Sequence, residues 1–522
     1  MSNLRDYYRG KSVFITGGTG FMGKVLVQRL LTCFPEIDRI YVHIRPSHKH
    51  GSAQNRLAAI LRTAAFETVS KADKNQHVKI IAMSGDILQP NLGLSSEDTE
   101  ILIEKVSVIF HTAATVKFDE ALKTAVDVNV SGTRKLLMLC RQMKRLEAFI
   151  HVSTAYANCN RMDISEEVYP SPVPCDKLIE ALEWMNEASV KAITAQLIPP
   201  WPNTYTYAKA LAESAIVSAW EESPTFHVGI VRPSIVGAAV EHPHPGYIDN
   251  YNGPSGLLAA IGKGALRTML GDRNAIADIV PVDYAVDVLI ATPWHLESTK
   301  ASKPWVYNFT SGGINPMTWG YVQDSTLVNF AKNPVDNVYR IPSARFTQNW
   351  LAFHLWRTID HMLPAYLIDT VLRIQGKKPT AVAGYAKLHR ALRSLDYFTQ
   401  NSWNFRNDNV KLLWESLSIE DQKVLSFDLS QLSWQDYMEK FCLGIKVFLL
   451  RESLDNLPQA RKAVARQTKK TRVVLCVLFL LLTTVLCKSF RLVRRSWLVA
   501  FSTVIRLMLL LSRILKQSSI LP

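Results

Sequence analysis

The N-terminal segment, MSNLRDYYRG, lacks an apolar stretch ahead of the first strand-like run, which argues against a secretory signal. Cysteine is sparse and shows no pairing pattern. Cys33, Cys140, Cys159, Cys175, Cys442, Cys476 and Cys487 are odd in number and scattered. This excludes a disulfide framework and offers no metal-ligand spacing, so reduced thiols, a cytosol-facing body and no metal are expected. Acidic residues are missing from positions 461–522, where thirteen Lys or Arg stand. Those thirteen account for most of the net charge of +15, and the first 460 residues are nearly neutral. The charge therefore fits a membrane-surface tail and excludes a nucleic-acid footprint. No internal repeat is present.

What is present is an alternation. Strand-like runs occur at 12–16 (SVFIT), 40–44 (IYVHI), 78–83 (VKIIAM), 106–110 (VSVIF), 148–152 (AFIHV) and 228–232 (VGIVR). Helical patterns, such as 24–31 (KVLVQRLL), lie between them. Strand, helix, strand at this spacing predicts an α/β fold with a doubly wound parallel sheet. The 522 residues exceed what one core of ~250–300 residues holds, so a smaller second domain and appendages are expected. From about residue 349 to 452, Trp and Leu recur at helix spacing, as in 350–372 and 410–417. A mainly helical C-terminal domain is expected there. A polar linker at 453–458 precedes an apolar, basic tail.

Residues 16–23 (TGGTGFMG) follow the first strand and open a helix. Glycines at this spacing permit a tight turn, backbone approach to a pyrophosphate and close helix packing. The helix N-terminus adds N–H groups and a positive dipole end. Thr16, Gly17, Gly20, Phe21, Met22 and Gly23 are therefore expected to hold a dinucleotide. An NAD site places an acid near the end of the second strand. Here that strand ends in Arg45, followed by His48, Lys49 and His50, with no acid. Arg45 suits a 2′-phosphate, so NADPH is expected. Asp86 and Ile87 follow the third strand at the adenine edge. Small residues after the fourth strand, Ala113 among them, let backbone approach the cofactor.

In residues 205–209 (YTYAK), Tyr205 and Lys209 are four apart and share a helix face. A tyrosine with a pKa near ~10 moves protons poorly at neutral pH, and a neighbouring ammonium is expected to lower it. Lys209 can also hold the nicotinamide ribose. A hydroxyl partner is expected after the fifth strand, Thr154 first and Ser153 as the alternative. After the sixth strand, Pro233 fixes backbone beside the nicotinamide, and Val236 offers its N–H to the carboxamide.

With these residues in view, the chain resembles the extended short-chain dehydrogenases and, more narrowly, the alcohol-forming fatty acyl-CoA reductases. The likeness rests on 16–23, on 152–158 (VSTAYAN), on 203–213 around Tyr205, and on 246–250 (GYIDN) with Gly253-Pro254. Tyr247 there stands where tryptophan is expected. Asp278 with 280–283 (VPVD), 403–409 (WNFRNDN), Phe427-Asp428 and 434–437 extend the match to a helical C-terminal domain. The resemblance implies reduction of a long-chain acyl-CoA thioester to a primary fatty alcohol, with two NADPH and release of CoA. It implies that Tyr205, assisted by Thr154, serves the developing oxyanion. The expected layout is an NADP-binding Rossmann reductase domain at 10–300, a connecting segment completing it at 301–348, a helical domain at 349–455 and a membrane tail at 461–522. Two rivals stand beside this reading: another extended dehydrogenase acting on a sterol or nucleotide sugar, and a membrane-tethered NADP-binding protein without turnover.

The tail raises its own question. Residues 473–487 are uncharged, and at ~1.5 Å per residue they give about 22 Å of helix against a hydrocarbon core near ~30 Å. In 497–516, Ser502, Arg506, Arg513 and Lys516 fall on one helical face. Basic clusters flank the first apolar segment on both sides, which disfavours crossing. A shallow re-entrant anchor is expected, with a single transmembrane helix as the alternative, on the endoplasmic reticulum or peroxisomal membrane. Acyl-CoA and membrane lipid are the expected partners, without nucleic acid. A homo-oligomer is compatible with the sequence.

Overall fold

The computed structural model describes residues 3–47, 51–72, 74–489, 500–504 and 506. His48, Lys49 and His50, and most of the 497–516 segment including Arg513 and Lys516, lie outside the described residues.

Seven strands form the main sheet: β1 (Ser12–Thr16), β2 (Arg39–Ile44), β3 (Ile80–Ser84), β4 (Val106–His111), β5 (Ala148–Val152), β6 (His227–Pro233) and β7 (Trp305–Phe309). They lie in the order β7-β6-β5-β4-β1-β2-β3, every pair parallel. Strands β1, β4 and β5 are buried at every position. That burial explains why they read as mostly apolar runs, with Ser107 and His151 the polar residues inside them: helices cover both faces, so neither face needs alternating polar residues. The expected third strand begins two residues later, because Val78 and Lys79 finish a 3₁₀ turn, Lys74–Lys79. Strand β7, in the connecting segment, was not expected.

The chain leaves β1 toward β2 on one side and later returns to β4 on the other. This switch opens a crevice at the carboxyl ends of β1 and β4, where open α/β sheets bind ligands. Helix α1 (Phe21–Cys33) follows β1, α2 (Ala53–Leu61) follows β2, α3 (Thr204–Glu222) precedes β6 and α4 (Val282–Ser298) precedes β7. A buried ion pair ties α1 to α4, with Arg29 Nε and Nη2 each 2.8 Å from Asp287.

Helices α5 (Trp350–Arg357), α6 (Leu363–Ile374) and α7 (Ala381–Arg393) follow, with a π turn at Thr358–Met362 between the first two. Two short parallel pairs stitch this region to the body: Phe346–Thr347 on Met269–Leu270, and Asn404–Phe405 on Asp163–Ile164. Trp403 Nε1 donates to Cys159 O (3.0 Å) and the Tyr437 hydroxyl to Ala238 O (3.0 Å). One apolar core runs from Val13 and Ile15 to Leu413, Phe427, Phe441 and Ile445. Residues Met1–Asp455 accordingly form one compact unit, and Asn456–Pro522 a second. The second unit carries α8 (Leu457–Ser489), which contains the whole uncharged stretch 473–487. No helix among the described residues is long and apolar enough to cross a membrane.

Candidate active site

The glycine turn is held by contacts that a side chain would break. Gly17 has φ +72°, and a Cβ on it would lie 2.6 Å from Ala113 N and from Thr112 Oγ1. A Cβ on Gly23 would lie 2.3 Å from Gly17 O. The turn is therefore wedged between β4 and α1, with Gly20 as helix cap. The amide ends of Phe21, Met22 and Gly23 lie at the carboxyl end of β1. This backbone-lined cradle fits a pyrophosphate. Thr16 Oγ1 is 2.7 Å from His111 Nδ1, and His111 Nε2 is 2.9 Å from Thr133 Oγ1. Burial pushes the His111 imidazole down to about 3, so the pair is a neutral brace. The 246–250 loop supports α1 from outside. Lys24 pairs with Asp249, and the Phe21 and Tyr247 rings lie 6.0 Å apart.

At the ribose edge, Arg45 is exposed and 3.9 Å from Asp86. Asp86 Oδ1 accepts from Leu88 N (3.1 Å). The Ile87 side chain packs into the core beside Gly132, so any cofactor contact falls to its backbone. A residue that the sequence reading missed stands here. Arg56, on α2, donates to Arg45 O (2.6 Å) and to Thr19 Oγ1 of the glycine turn (3.1 Å). It places a second guanidinium where a 2′-phosphate is expected. Its signal was faint: one arginine in a helix that the eye reads as solvated.

Asn203 caps α3, its side chain accepting from Thr206 N (2.9 Å), so Tyr205 lies in the first turn and Lys209 one turn on. The Thr154 hydroxyl lies beside the Tyr205 phenol and favours its ionised form. Thr154 also accepts from Tyr156 N (3.3 Å), which fixes its rotamer. Lys209 is buried and donates to Val152 O (2.7 Å). Burial pushes the Tyr205 phenol up to about 12, opposed by Thr154. Burial lowers the Lys209 ammonium to about 8, opposed by Glu213. The expected lowering of the phenol by Lys209 is absent: burial raises it, only Thr154 opposes, and Tyr205 is a protonated donor at neutral pH.

Ser153 departs from its expected alternative role. Its hydroxyl donates to Glu213 Oε1 at 2.5 Å, and Glu213 is held by Arg232 at 2.8 and 2.6 Å. Arg232 also donates to Glu167 O (2.8 Å). The group is a buried tie between β5, α3 and β6. Ser153 serves that tie, and Thr154 is the hydroxyl beside Tyr205. Pro233 ends β6, and Val236 lies in the short strand Ile235–Gly237. That strand spends the Ile235 N–H on Asp278 O (3.1 Å), and alternation turns the Val236 N–H the other way.

Aromatic rings wall the space beside Tyr205. Phe118 stacks on it at 5.6 Å, and Phe398 lies 5.3 Å from Phe118 and 5.2 Å from Tyr156. Nothing in the periodicity marks these positions, because Phe118 comes from a loop, Tyr156 from a 3₁₀ turn and Phe398 from a five-residue helix.

A nicotinamide-binding reductase of the extended short-chain dehydrogenase type is the class that this sheet, cradle and Tyr-Lys pair define. Comparison narrows it. A family model for an NAD-binding domain, described as male sterility protein, matches residues 15–289, and a second so described matches 360–452. The chain is 46% identical over 463 residues to fatty acyl-CoA reductase 1 of Xenopus laevis, covering 88% of this chain and 89% of the relative. It is 45% identical to that of Homo sapiens over the same shares. It is 41% identical over 498 residues to fatty acyl-CoA reductase 2 of Bos taurus, 95% and 96% covered. Among solved structures, the reductase domain of a nonribosomal peptide synthetase from Mycobacterium tuberculosis shares the fold at TM-score 0.56 and 15% identity, over 84% and 92% of the chains. The terminal R domain of the myxalamid pathway does so at 0.53 and 18%, over 85% and 93%. The chain belongs to the fatty acyl-CoA reductase family.

Proposed function

We propose that the chain reduces a long-chain fatty acyl-CoA to the primary fatty alcohol with two NADPH and release of CoA. The Tyr205–Thr154 pair beside the Phe118 wall carries this reading, since it sets a protonated donor against an apolar surface. NADPH, when bound, supplies the hydride of each reduction. The glycine cradle holds its pyrophosphate, Arg45 and Arg56 take the 2′-phosphate, and Lys209 takes the ribose. Tyr205 donates its proton to the carbonyl oxygen as negative charge grows there, and Thr154 steadies the phenol; donors aimed at that charge act best in such a water-poor site. As the resulting hemithioacetal collapses, its hydroxyl proton returns to Tyr205, and CoA leaves as the thiolate, which takes a proton from water. The aldehyde stays against the aromatic wall, and its oxygen meets Tyr205 again.

The reductase part spans 10–300 with 301–348 completing it, 349–455 is the helical C-terminal part, and 461–522 attaches the chain to the endoplasmic reticulum or peroxisomal membrane, catalytic body toward the cytosol. The acid-free basic tail supports this. Incubating the full chain with NADPH and hexadecanoyl-CoA tests the reaction: hexadecanol with two NADPH oxidised per CoA released is expected. Accumulation of aldehyde at one NADPH per CoA would refute the second reduction. For the tail, a tag after residue 522 should be digested on intact vesicles together with an N-terminal tag. Protection of the C-terminal tag alone would mean that the chain crosses.

A further inference from the structure

Helices α5 and α6 turn a line of apolar side chains to solvent. Leu355, Ile359, Leu363, Leu367 and Val371 follow at steps of four, and Ile374 closes the line. Their exposure runs from 44% at Ile359 to 81% at Ile374. In an unbroken α-helix a four-residue ladder drifts by roughly 40° per step. The wider π turn at Thr358–Met362 winds the other way relative to that drift, so the six side chains keep to one face. The opposite face holds His361, Ala365 and Asp369, all buried against the body. The outward line is therefore not an unfinished core. Single exposed apolar residues need no explanation, but a contiguous stripe marks a contact surface.

The charge around the stripe selects the partner. Residues 349–393 hold seven Lys or Arg and two acids. Both acids are engaged inward. Asp369 is buried and accepts from the backbone N–H groups of Thr380, Ala381 and Val382. Asp360 takes the Thr268 hydroxyl at 3.2 Å and lies 3.4 Å from Arg345. Arg373 on α6, Lys377 and Lys378 just after it and Arg390 on α7 are exposed. A second copy of the chain docked across a two-fold axis would bring these cations against one another. A surface of anionic lipid would not. It would take the apolar side chains below its headgroups and the cations at them.

We propose that the α5–α6 face is a membrane contact of the catalytic unit itself, separate from the tail, seated in the plane of an anionic lipid surface. The same chain segment runs on through α7 to Phe398, which meets Phe118 beside Tyr205. The contact depends on neither the tail's topology nor the reaction.

Photo-crosslinking tests it. The full chain is reconstituted in vesicles of phosphatidylcholine with 30 mol% phosphatidylserine, carrying a diazirine-labelled phospholipid, and lipid adducts are mapped by mass spectrometry. Adducts on 355–374 are expected, with those in the tail as an internal control and few on Trp184 or Ile419, which are exposed elsewhere. Replacing Lys377 and Lys378 by Glu should reduce the adducts on 355–374 by about fivefold or more and leave the tail's unchanged. Adducts confined to 461–522, or equal labelling of Trp184 and Ile419, would each overturn the proposal.

Discussion

Tyr205 combines a raised pKa with a hydroxyl partner, and its behaviour can be tested one atom at a time. Tyr205→Phe should lower kcat by ~10²–10⁴ while NADPH binding persists, read from turnover and from cofactor fluorescence. Tyr207→Phe is the control. Its ring lies in the core, and its hydroxyl has no hydrogen-bond partner among the described residues, so turnover should change little. Lys209 gives the pH dependence. Its ammonium titrates at about 8 in the folded chain, against an ordinary 10.5. Below about 8 the charge is present. As pH rises through that value the folded protein loses a proton that the unfolded chain would keep to 10.5. If the ammonium holds the ribose, kcat/KM for NADPH should fall on the alkaline side with a midpoint near 8. A flat profile to well above that value would remove Lys209 from cofactor binding. Arg45 and Arg56 share the nucleotide edge, so Arg56→Ala should weaken NADPH and spare NADH, as Arg45→Ala should. KM values for both cofactors decide this.

Among elements, the tie between β6 and α3 matters most to the site. Arg232→Ala leaves the Glu213 carboxylate buried without its partner, one turn beyond Lys209. Breaking a buried pair in this way costs ~3–5 kcal/mol, seen as a lowered Tm or loss of soluble protein. Ser153→Ala removes only one hydrogen bond to that carboxylate. It should lower Tm modestly and keep turnover, whereas Thr154→Ala should keep Tm and lose turnover. The opposite pattern would return Ser153 to the chemistry. At this scale the sequence was readable where burial is two-sided. Strands β1, β4 and β5 are mostly apolar and stand within the strand–helix alternation, whereas β7 (WVYNF), buried like them, lies beyond it in the connecting segment and carries Asn308, whose side chain donates to Arg406 O.

The whole molecule joins what the sequence divides. Leu413, Phe427, Tyr437, Phe441 and Ile445 share a core with Val13 and Ile15. Removing 349–455 should therefore leave an insoluble remnant, not a small reductase. Deleting 461–522 falls within the second unit and should leave a folded enzyme with full turnover on acyl-CoA, whose remaining membrane contact is the α5–α6 face. Loss of activity on that deletion would show that the tail contributes to the site.

The sequence by itself determined the parallel sheet, the glycine cradle and the Tyr205–Lys209 spacing. These are local: a turn that excludes side chains, a strand buried on both faces and a four-residue helix step are each written in adjacent residues. Tertiary structure decided the rest. Thr154 and not Ser153 meets Tyr205 because Glu213 and Arg232, far along the chain, capture the serine. Arg56 joins the nucleotide edge because α2 folds back onto the glycine turn. The direction of the Tyr205 shift depends on how fully the surrounding loops exclude water. No spacing encodes these outcomes, because each depends on residues brought together from distant parts of the chain.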